Sequence, residues 1–357
     1  MKSKINKRII IYNYFFNMGI EICCGKENFK NEIKNQISFI NEIQSDKSDL
    51  GTNDEKDYKL EFSSNIQKIN FKKIKLNFEK SLKNQAEFIT DKEFEEISLK
   101  TNDLIKKVEF PKDIENTKEE NSFIAPPIKF INGEIYKGSW NVKNQRHGFG
   151  INIFPDGLIY KGLWENGNFG NYGLFLEPNN SYYKGELKEC KFNGKGEMQI
   201  NGKYKYIGEF KNDLPNGKGC LEDYEKGFKY DGDLIDGKKN GKGLLKYEDG
   251  TIYEGDFKND LFNGKGILKL KDGKKYEGEF KDGIIKGKGK FIWGNGEVYD
   301  GEYDNFMKNG KGKYFWNEKK YYEGQWINNK QHGKGLIHYD GKEIEGLFRF
   351  GKIIKGK

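Results

Sequence analysis

The chain has 357 residues, of which 35% are hydrophobic, 33% charged and 15% aromatic, a balance that argues against a thick two-layer core and for a thin, aromatic-rich one. Its net charge of +8 rests on lysine, with only Arg8, Arg146 and Arg349 as arginines among 63 basic residues, so no nucleic-acid partner is expected where the guanidinium fork is so scarce. No stretch approaches the roughly 18 consecutive apolar residues of a membrane span. Cys23, Cys24, Cys190 and Cys220 make neither a C-x-x-C pair nor a disulfide framework, which points to a reducing compartment without structural zinc.

Residues 1–25 form an N-terminal extension that carries a modification signal. Met18 is followed by Gly19-Ile20-Glu21-Ile22-Cys23-Cys24, which resembles an N-myristoylation sequence with adjacent palmitoylation cysteines. Translation from Met18 would place myristate on Gly19 and palmitate on Cys23 and Cys24, and two chains anchor stably where one does not. Cys23 stands where Ser or Thr is usual. Two other readings compete: a start at Met1, which leaves Gly19 internal, and a secretion signal in MKSKINKRIIIYNYFF, which Asn13 interrupts.

Residues 26–124 hold few glycines and read as a partly helical or disordered segment. Phe29, Ile33, Ile37 and Ile40 fall at helical spacing, as do Phe71, Ile74, Phe78 and Leu82. Ile66-Gln67 does not open a calmodulin-binding IQ motif, because Phe71 stands where a basic residue belongs. Thr90 and Glu93 predict a capping box and a helix carrying Phe94, Ile97, Leu104, Ile105 and Val108, ended by Pro111. Ala125-Pro126-Pro127 reads as a linker into residues 125–357.

From there a tyrosine recurs at 136, 160, 183, 206, 230, 253, 276, 299 and 322, and all but Gly19, Gly25 and Gly51 of the 45 glycines lie beyond residue 131. A fixed period of this length marks one supersecondary unit repeated into an array. Each tyrosine opens a Y-x-G segment, a G-x-G pair follows, and Asn-Gly or Asp-Gly turns recur at 132, 156, 201, 249, 272, 295 and 340. These turns predict two-residue type I′ hairpins. Strand alternation puts Tyr253, Gly255 and Phe257 on one face and Glu254 and Asp256 on the other. The array therefore has an aromatic, glycine-dented face and a charged one. Asn171 replaces the first glycine of the pair in the second unit, and the last unit, from Ile344, is truncated.

Y-x-G-x-[FW], then N-G-K-G, then a D-G turn resembles the MORN repeat family, over about ten units from residue 128 to the end. The resemblance implies an all-β repeat array, an elongated single-layer antiparallel sheet of hairpins. It also implies a scaffold rather than an enzyme. His147 and His332 share one repeat position, and no glycine pair opens a phosphate-binding helix. No catalytic residue, metal or cofactor is expected. The partner-binding face is expected to be the aromatic one: Tyr136, Trp140, Tyr160, Trp164, Tyr183, Tyr206, Phe210, Tyr230, Tyr253, Phe257, Tyr276, Phe280, Tyr299, Tyr303, Tyr322 and Trp326. Expected partners are proteins, presenting a helix or an extended peptide to the groove. An anionic phospholipid membrane, a ciliary or cortical cytoskeleton and a second copy of the chain are the alternatives. The expected location is cytoplasmic, with membrane contact at the acylated N-terminus.

Overall fold

The computed structural model describes residues 86–117 and 122–356. The acylation signal at Gly19, Cys23 and Cys24 and the helical spacings at 29–40 and 71–82 lie outside the described residues. The strands fall into two compact units that divide after Glu225.

The first unit carries β1 (Ala86–Phe88), β2 (Ser122–Ile124), β3 (Ile128–Phe130), β4 (Ile135–Asn141), β5 (Arg146–Ile153) and β6 (Ile159–Glu165). It continues with β7 (Asn168–Leu176), β8 (Tyr182–Lys188), β9 (Lys191–Ile200), β10 (Tyr204–Lys211) and β11 (Leu214–Asp223). The second unit runs through β12 (Phe228–Ile235), β13 (Lys238–Tyr247), β14 (Ile252–Lys258), β15 (Leu261–Lys269), β16 (Lys275–Lys281) and β17 (Ile284–Ile292). Its remaining strands are β18 (Val298–Asp304), β19 (Met307–Asn317), β20 (Lys320–Ile327), β21 (Lys330–Tyr339), β22 (Lys342–Arg349) and β23 (Lys352–Gly356). Within each unit, from β4 onward, every strand pairs antiparallel with its neighbours in sequence, as an array of hairpins requires.

The sheet begins earlier than residue 125. Ala86–Phe88 pairs with β3 and Ser122–Ile124 with β4, so the Pro126-Pro127 stretch lies between paired strands. Short strands without alternation leave little trace in a sequence.

Two kinds of turn alternate along the array, and the D-G turns are mostly the other kind from that expected. At Asp249-Gly250 the Tyr247 carbonyl accepts from the Gly250 N–H (3.0 Å), and the Tyr247 N–H donates to the Thr251 carbonyl (2.9 Å). Only Gly250 has positive φ (+92°), which is a type I turn closed by a glycine bulge. The type I′ geometry sits at the opposite end of the hairpins, at Asn259-Asp260 (φ 48° and 70°), Asn305-Phe306 (49° and 63°) and Asn328-Asn329 (49° and 66°). Asn and Asp tolerate the left-handed region because their short polar side chains bond locally. Asp340-Gly341 is one expected turn with both residues at positive φ (47° and 80°).

Three helices precede the array: α1 (Asp91–Thr101), α2 (Leu104–Lys107) and α3 (Lys112–Glu115). The expected capping box is present: the Glu93 N–H donates to the Thr90 hydroxyl (3.2 Å), and the Thr90 N–H donates to the Glu93 carboxylate (2.7 Å). The single helix expected to reach Pro111 is broken at Asn102. That residue is extended, its Oδ1 accepts from the Leu104 N–H (2.9 Å), and its Nδ2 donates to the Glu177 carbonyl (2.7 Å) in a buried contact with the array. A tertiary hydrogen bond of this kind overrides local helix propensity.

Candidate binding surface

Each tyrosine lies over glycines, and the geometry explains their fixed spacing. In the hairpin of β14 and β15, Gly255 pairs with Gly266 and Tyr253 with Leu268. A Cβ on Gly266 would stand 2.5 Å from the Tyr253 Oη and 2.6 Å from Cε2 and Cζ, so the ring occupies the volume a side chain would fill. The Tyr253 hydroxyl donates to the Asp256 carbonyl (2.9 Å), and the same bond to the residue three places on recurs at Tyr136, Tyr183, Tyr230, Tyr276, Tyr299 and Tyr322. Gly266→Ala should therefore lower stability by about 1–3 kcal/mol as an overpacked site. Urea unfolding of the variant indistinguishable from that of the parent would refute the ring-over-glycine account.

Edge-on rings then flank each tyrosine. Tyr253 meets Phe257 at 5.0 Å and 84° and Phe280, from the next repeat, at 5.3 Å and 86°. Such pairs contribute about 0.5–1.5 kcal/mol beyond the area they bury. A third residue lies over the tyrosine from the returning strand: Phe192 stacks on Tyr183 (3.6 Å, 8°) and Phe262 on Tyr253 (3.7 Å, 11°). At other repeats this lid is a cation, with Arg146 over Tyr136 (5.0 Å), Lys239 over Tyr230 (5.6 Å) and Lys308 over Tyr299 (5.4 Å). Lys308 also faces Trp293, Tyr314 and Trp326 at 4.5–5.3 Å, and burial among these rings pulls its ammonium down to about 8.

These contacts change the reading of the aromatic face. All sixteen residues expected to bind a partner, from Tyr136 to Trp326, are at most 7% exposed, and the nine period tyrosines at most 1%. As placed, they fill the interior of their face instead of offering ring surface. The lids at 146, 192, 239, 262 and 308 are not singled out by any local motif in the sequence. Their own 23- or 24-residue period was the available signal, hidden because Arg, Phe and Lys alternate there.

Where the residue after Y-x-G is acidic, as at 186, 209, 233, 256, 279 and 302, it has a structural task. Pairing shifts between Gly255 and Phe257, which leaves Asn263, Gly264 and Lys265 opposite Asp256, with Gly264 at φ +70°. The Asp256 carboxylate accepts the freed Lys265 N–H (3.1 Å), as Glu302 accepts from Lys311 (3.0 Å) and Glu186 from Lys195 (3.2 Å). The bulge recurs with every repeat, and in these the carboxylate serves as the polar acceptor for the freed N–H.

The second face differs between the units. In the first, Phe94 of α1 and Ile105 of α2 are buried against Ile135, Ile153, Ile159, Leu174, Leu176 and Tyr182. Phe110 packs on Phe149 (5.8 Å) and Tyr172 (5.6 Å). Lys137 pairs with Asp91 (2.8 Å) and Glu95 (3.8 Å), and Lys161 pairs with Glu115. The face expected to meet solvent is thus covered here by the chain's own helices. The signal is the aromatic residue between the paired positions, as in Gly148-Phe149-Gly150 and Asn171-Tyr172-Gly173, where later repeats read G-K-G. Among the described residues, no helix covers the same face in the second unit. A depression of about 610 Å³ there is lined by Lys288, Asp300, Glu302, Lys311, Lys313 and Glu323 over a floor of glycines.

Glu197 is the carboxylate most strongly held on this face. Burial alone would raise it, but the Tyr182 hydroxyl (2.8 Å) and the Lys184 (3.0 Å) and Lys205 (3.1 Å) ammonium groups outweigh that and bring it to about 2. A depressed carboxylate stabilises the fold above its unfolded value of about 4.3 and loses that contribution as pH falls through about 2. The stability gap between the parent and Glu197→Gln should be about 1–2 kcal/mol at pH 7, after discounting for solvent screening, and close between pH 4.5 and 2. Urea titrations across that range measure it, and a gap independent of pH would contradict the assignment.

Among the described residues no group of His, Cys, Asp and Glu side chains is arranged to hold a metal ion, and no helix is long and apolar enough to cross a membrane. Neither Cys190 nor Cys220 forms a disulfide among the described residues.

Comparison with known proteins agrees with the repeat geometry. The MORN repeat family model matches seven segments, at residues 136–159, 206–224, 230–252, 253–275, 276–298, 299–318 and 322–341. The segments at Tyr160 and Tyr183 are not matched, and these include the unit in which Asn171 replaces glycine. No curated protein matches the chain. Among solved structures, the TCP domain of SAS-4 from Drosophila melanogaster, in complex with a proline-rich motif of Ana2, is 10% identical. It aligns over 68% of this chain and 97% of its own at a TM-score of 0.14. Virginiamycin B lyase from Staphylococcus aureus (12% identity, 64% and 80% coverage, TM-score 0.12) and a streptogramin B lyase (15%, 61% and 88%, 0.12) also align. At these TM-scores no shared architecture follows.

Proposed function

The chain is a MORN-repeat protein, and on that footing we propose that it is a non-enzymatic scaffold that holds a protein partner on the second face of its array. The observation that carries this reading is the seating of α1 to α3: within this chain, the second face is the one that accepts helices. Rows of longer side chains beside a floor of glycines leave a trough that a helix can enter. The tyrosine face has its aromatic area turned inward and offers a partner far less.

Photo-crosslinking in cells tests the choice of face. A photoreactive residue at Ile267 or Lys313, on the second face of the full chain, should capture a discrete partner, whereas one at Gln331, in the lid row over the tyrosines, should not. Capture from Gln331 alone would reverse the assignment. Membrane attachment, in this reading, belongs to Gly19, Cys23 and Cys24 of a chain started at Met18. An intact mass showing a myristoylated Gly19 terminus is expected, and an unacylated terminus at Met1 would remove it.

A further inference from the structure

A stretch of each unit carries the same row on the second face with opposite charge. In the first unit, cross-strand pairing aligns Lys137, Ile151, Lys161, Leu174 and Lys184. Cation and apolar side chain alternate, and what lies on them matches: acidic residues of the covering helices reach Lys137 and Lys161, while their apolar residues meet Ile151 and Leu174. In the second unit, the same repeat positions align Asp231, Leu244, Glu254, Ile267 and Glu277. Here acid alternates with apolar residue, and all three carboxylates are exposed. Lys275 pairs with Glu277 along its own strand (2.8 Å). Neither Asp231 nor Glu254 engages a cation among the described residues.

We propose that this acidic row is a docking line for a partner helix that presents lysine or arginine along one stripe. The inference rests on the reading of the second face as a docking surface and names what it takes. The first unit supplies the template, and inverting its charge inverts the occupant. Spacing narrows the motif. Successive carboxylates lie two strands apart, about 9.6 Å at 4.8 Å per strand, which matches about seven residues of helix at 1.5 Å each. The recognised helix therefore carries basic residues at i, i+7 and i+14, with apolar residues between them to meet Leu244 and Ile267. The whole row, about 19 Å, corresponds to about 13 helical residues.

The flanking row adds selectivity. Lys229, Lys246, Ile252, Lys269 and Lys275 stand where the first unit has Ile135, Ile153, Ile159, Leu176 and Tyr182. A helix basic on all sides would be repelled by these lysines, so the cations must be confined to the stripe over the acids. With less apolar surface to bury, binding depends on charge and weakens with salt.

Fluorescence anisotropy with the full chain tests this. One probe is an 18-residue helical peptide with Lys at positions 2, 9 and 16, Leu between them and neutral residues elsewhere. The other has Glu for those three lysines. At low salt the parent should bind the lysine peptide at least about 10-fold more tightly, a preference that Asp231→Asn/Glu254→Gln/Glu277→Gln abolishes and that replacement of all three by Lys reverses. The substituted positions are exposed, and an unchanged melting temperature confirms that the variants fold. Equal binding of both peptides by the parent, or a preference surviving in the neutral variant, would overturn the acidic-row assignment and leave the docking face standing. Binding of neither peptide would remove both.

Discussion

Tyr253→Ala should lower the unfolding free energy by about 3–5 kcal/mol, the range for removing a fully buried aromatic ring, whereas Tyr253→Phe should cost about 1 kcal/mol for the hydroxyl alone. Tyr253 is 0% exposed, stacks on Phe262, meets Phe257 and Phe280 edge-on and donates to the Asp256 carbonyl. Deleting the ring leaves Gly255 and Gly266 facing a void, since neither has a side chain to fill it. A repeat array is stabilised mainly between neighbours, so the loss should appear as an early, local transition as well as a lower midpoint. A cost equal to that of the phenylalanine variant would mean that the ring packs loosely.

Phe94→Ala should cost a comparable 3–5 kcal/mol, confined to the first unit. Phe94 is 1% exposed beneath α1, in one cluster with Ile105, Ile135, Ile159 and Leu174. The helices hold little of their own stability: α1 spans 11 residues and α2 and α3 four each, below the length at which isolated helices persist in water. Hydrogen exchange should therefore show residues 91–115 losing protection in the variant while β12 to β23 keep theirs. Uniform loss across both units, or none in the helices, would contradict the cover assigned to that face.

Much of this architecture was legible in the sequence where one position performs one task in every repeat. The tyrosine period, the glycine two places on and the alternation of faces all follow from strand geometry, and the Thr90–Glu93 capping box was readable because its two bonds are local. The lids were not, because stacking and cation–π contact place Phe262 and Lys308 in one role despite different chemistry. The turns were misassigned because Asn-Asp and Asn-Phe support positive φ in a hairpin as Asn-Gly does, so the D-G signal marked the wrong end. The burial of the sixteen aromatic residues is not legible in the sequence, because composition gives ring type and not burial. Whether a tyrosine lies flat over glycine or stands toward a partner depends on the returning strand and the next repeat, neither of which a local motif contains.

Under the proposed function the tyrosine ladder is interior and the opposite face receives partners. Hydroxyl-radical footprinting of the full chain measures the first half directly, with Tyr224 and Tyr339, 50% and 57% exposed, as internal standards. The account predicts that Tyr136, Tyr160, Tyr183, Tyr206, Tyr230, Tyr253, Tyr276, Tyr299 and Tyr322 are modified at least about 10-fold more slowly than those two, in keeping with their burial. Modification of the nine at the rate of Tyr224 and Tyr339 would contradict it.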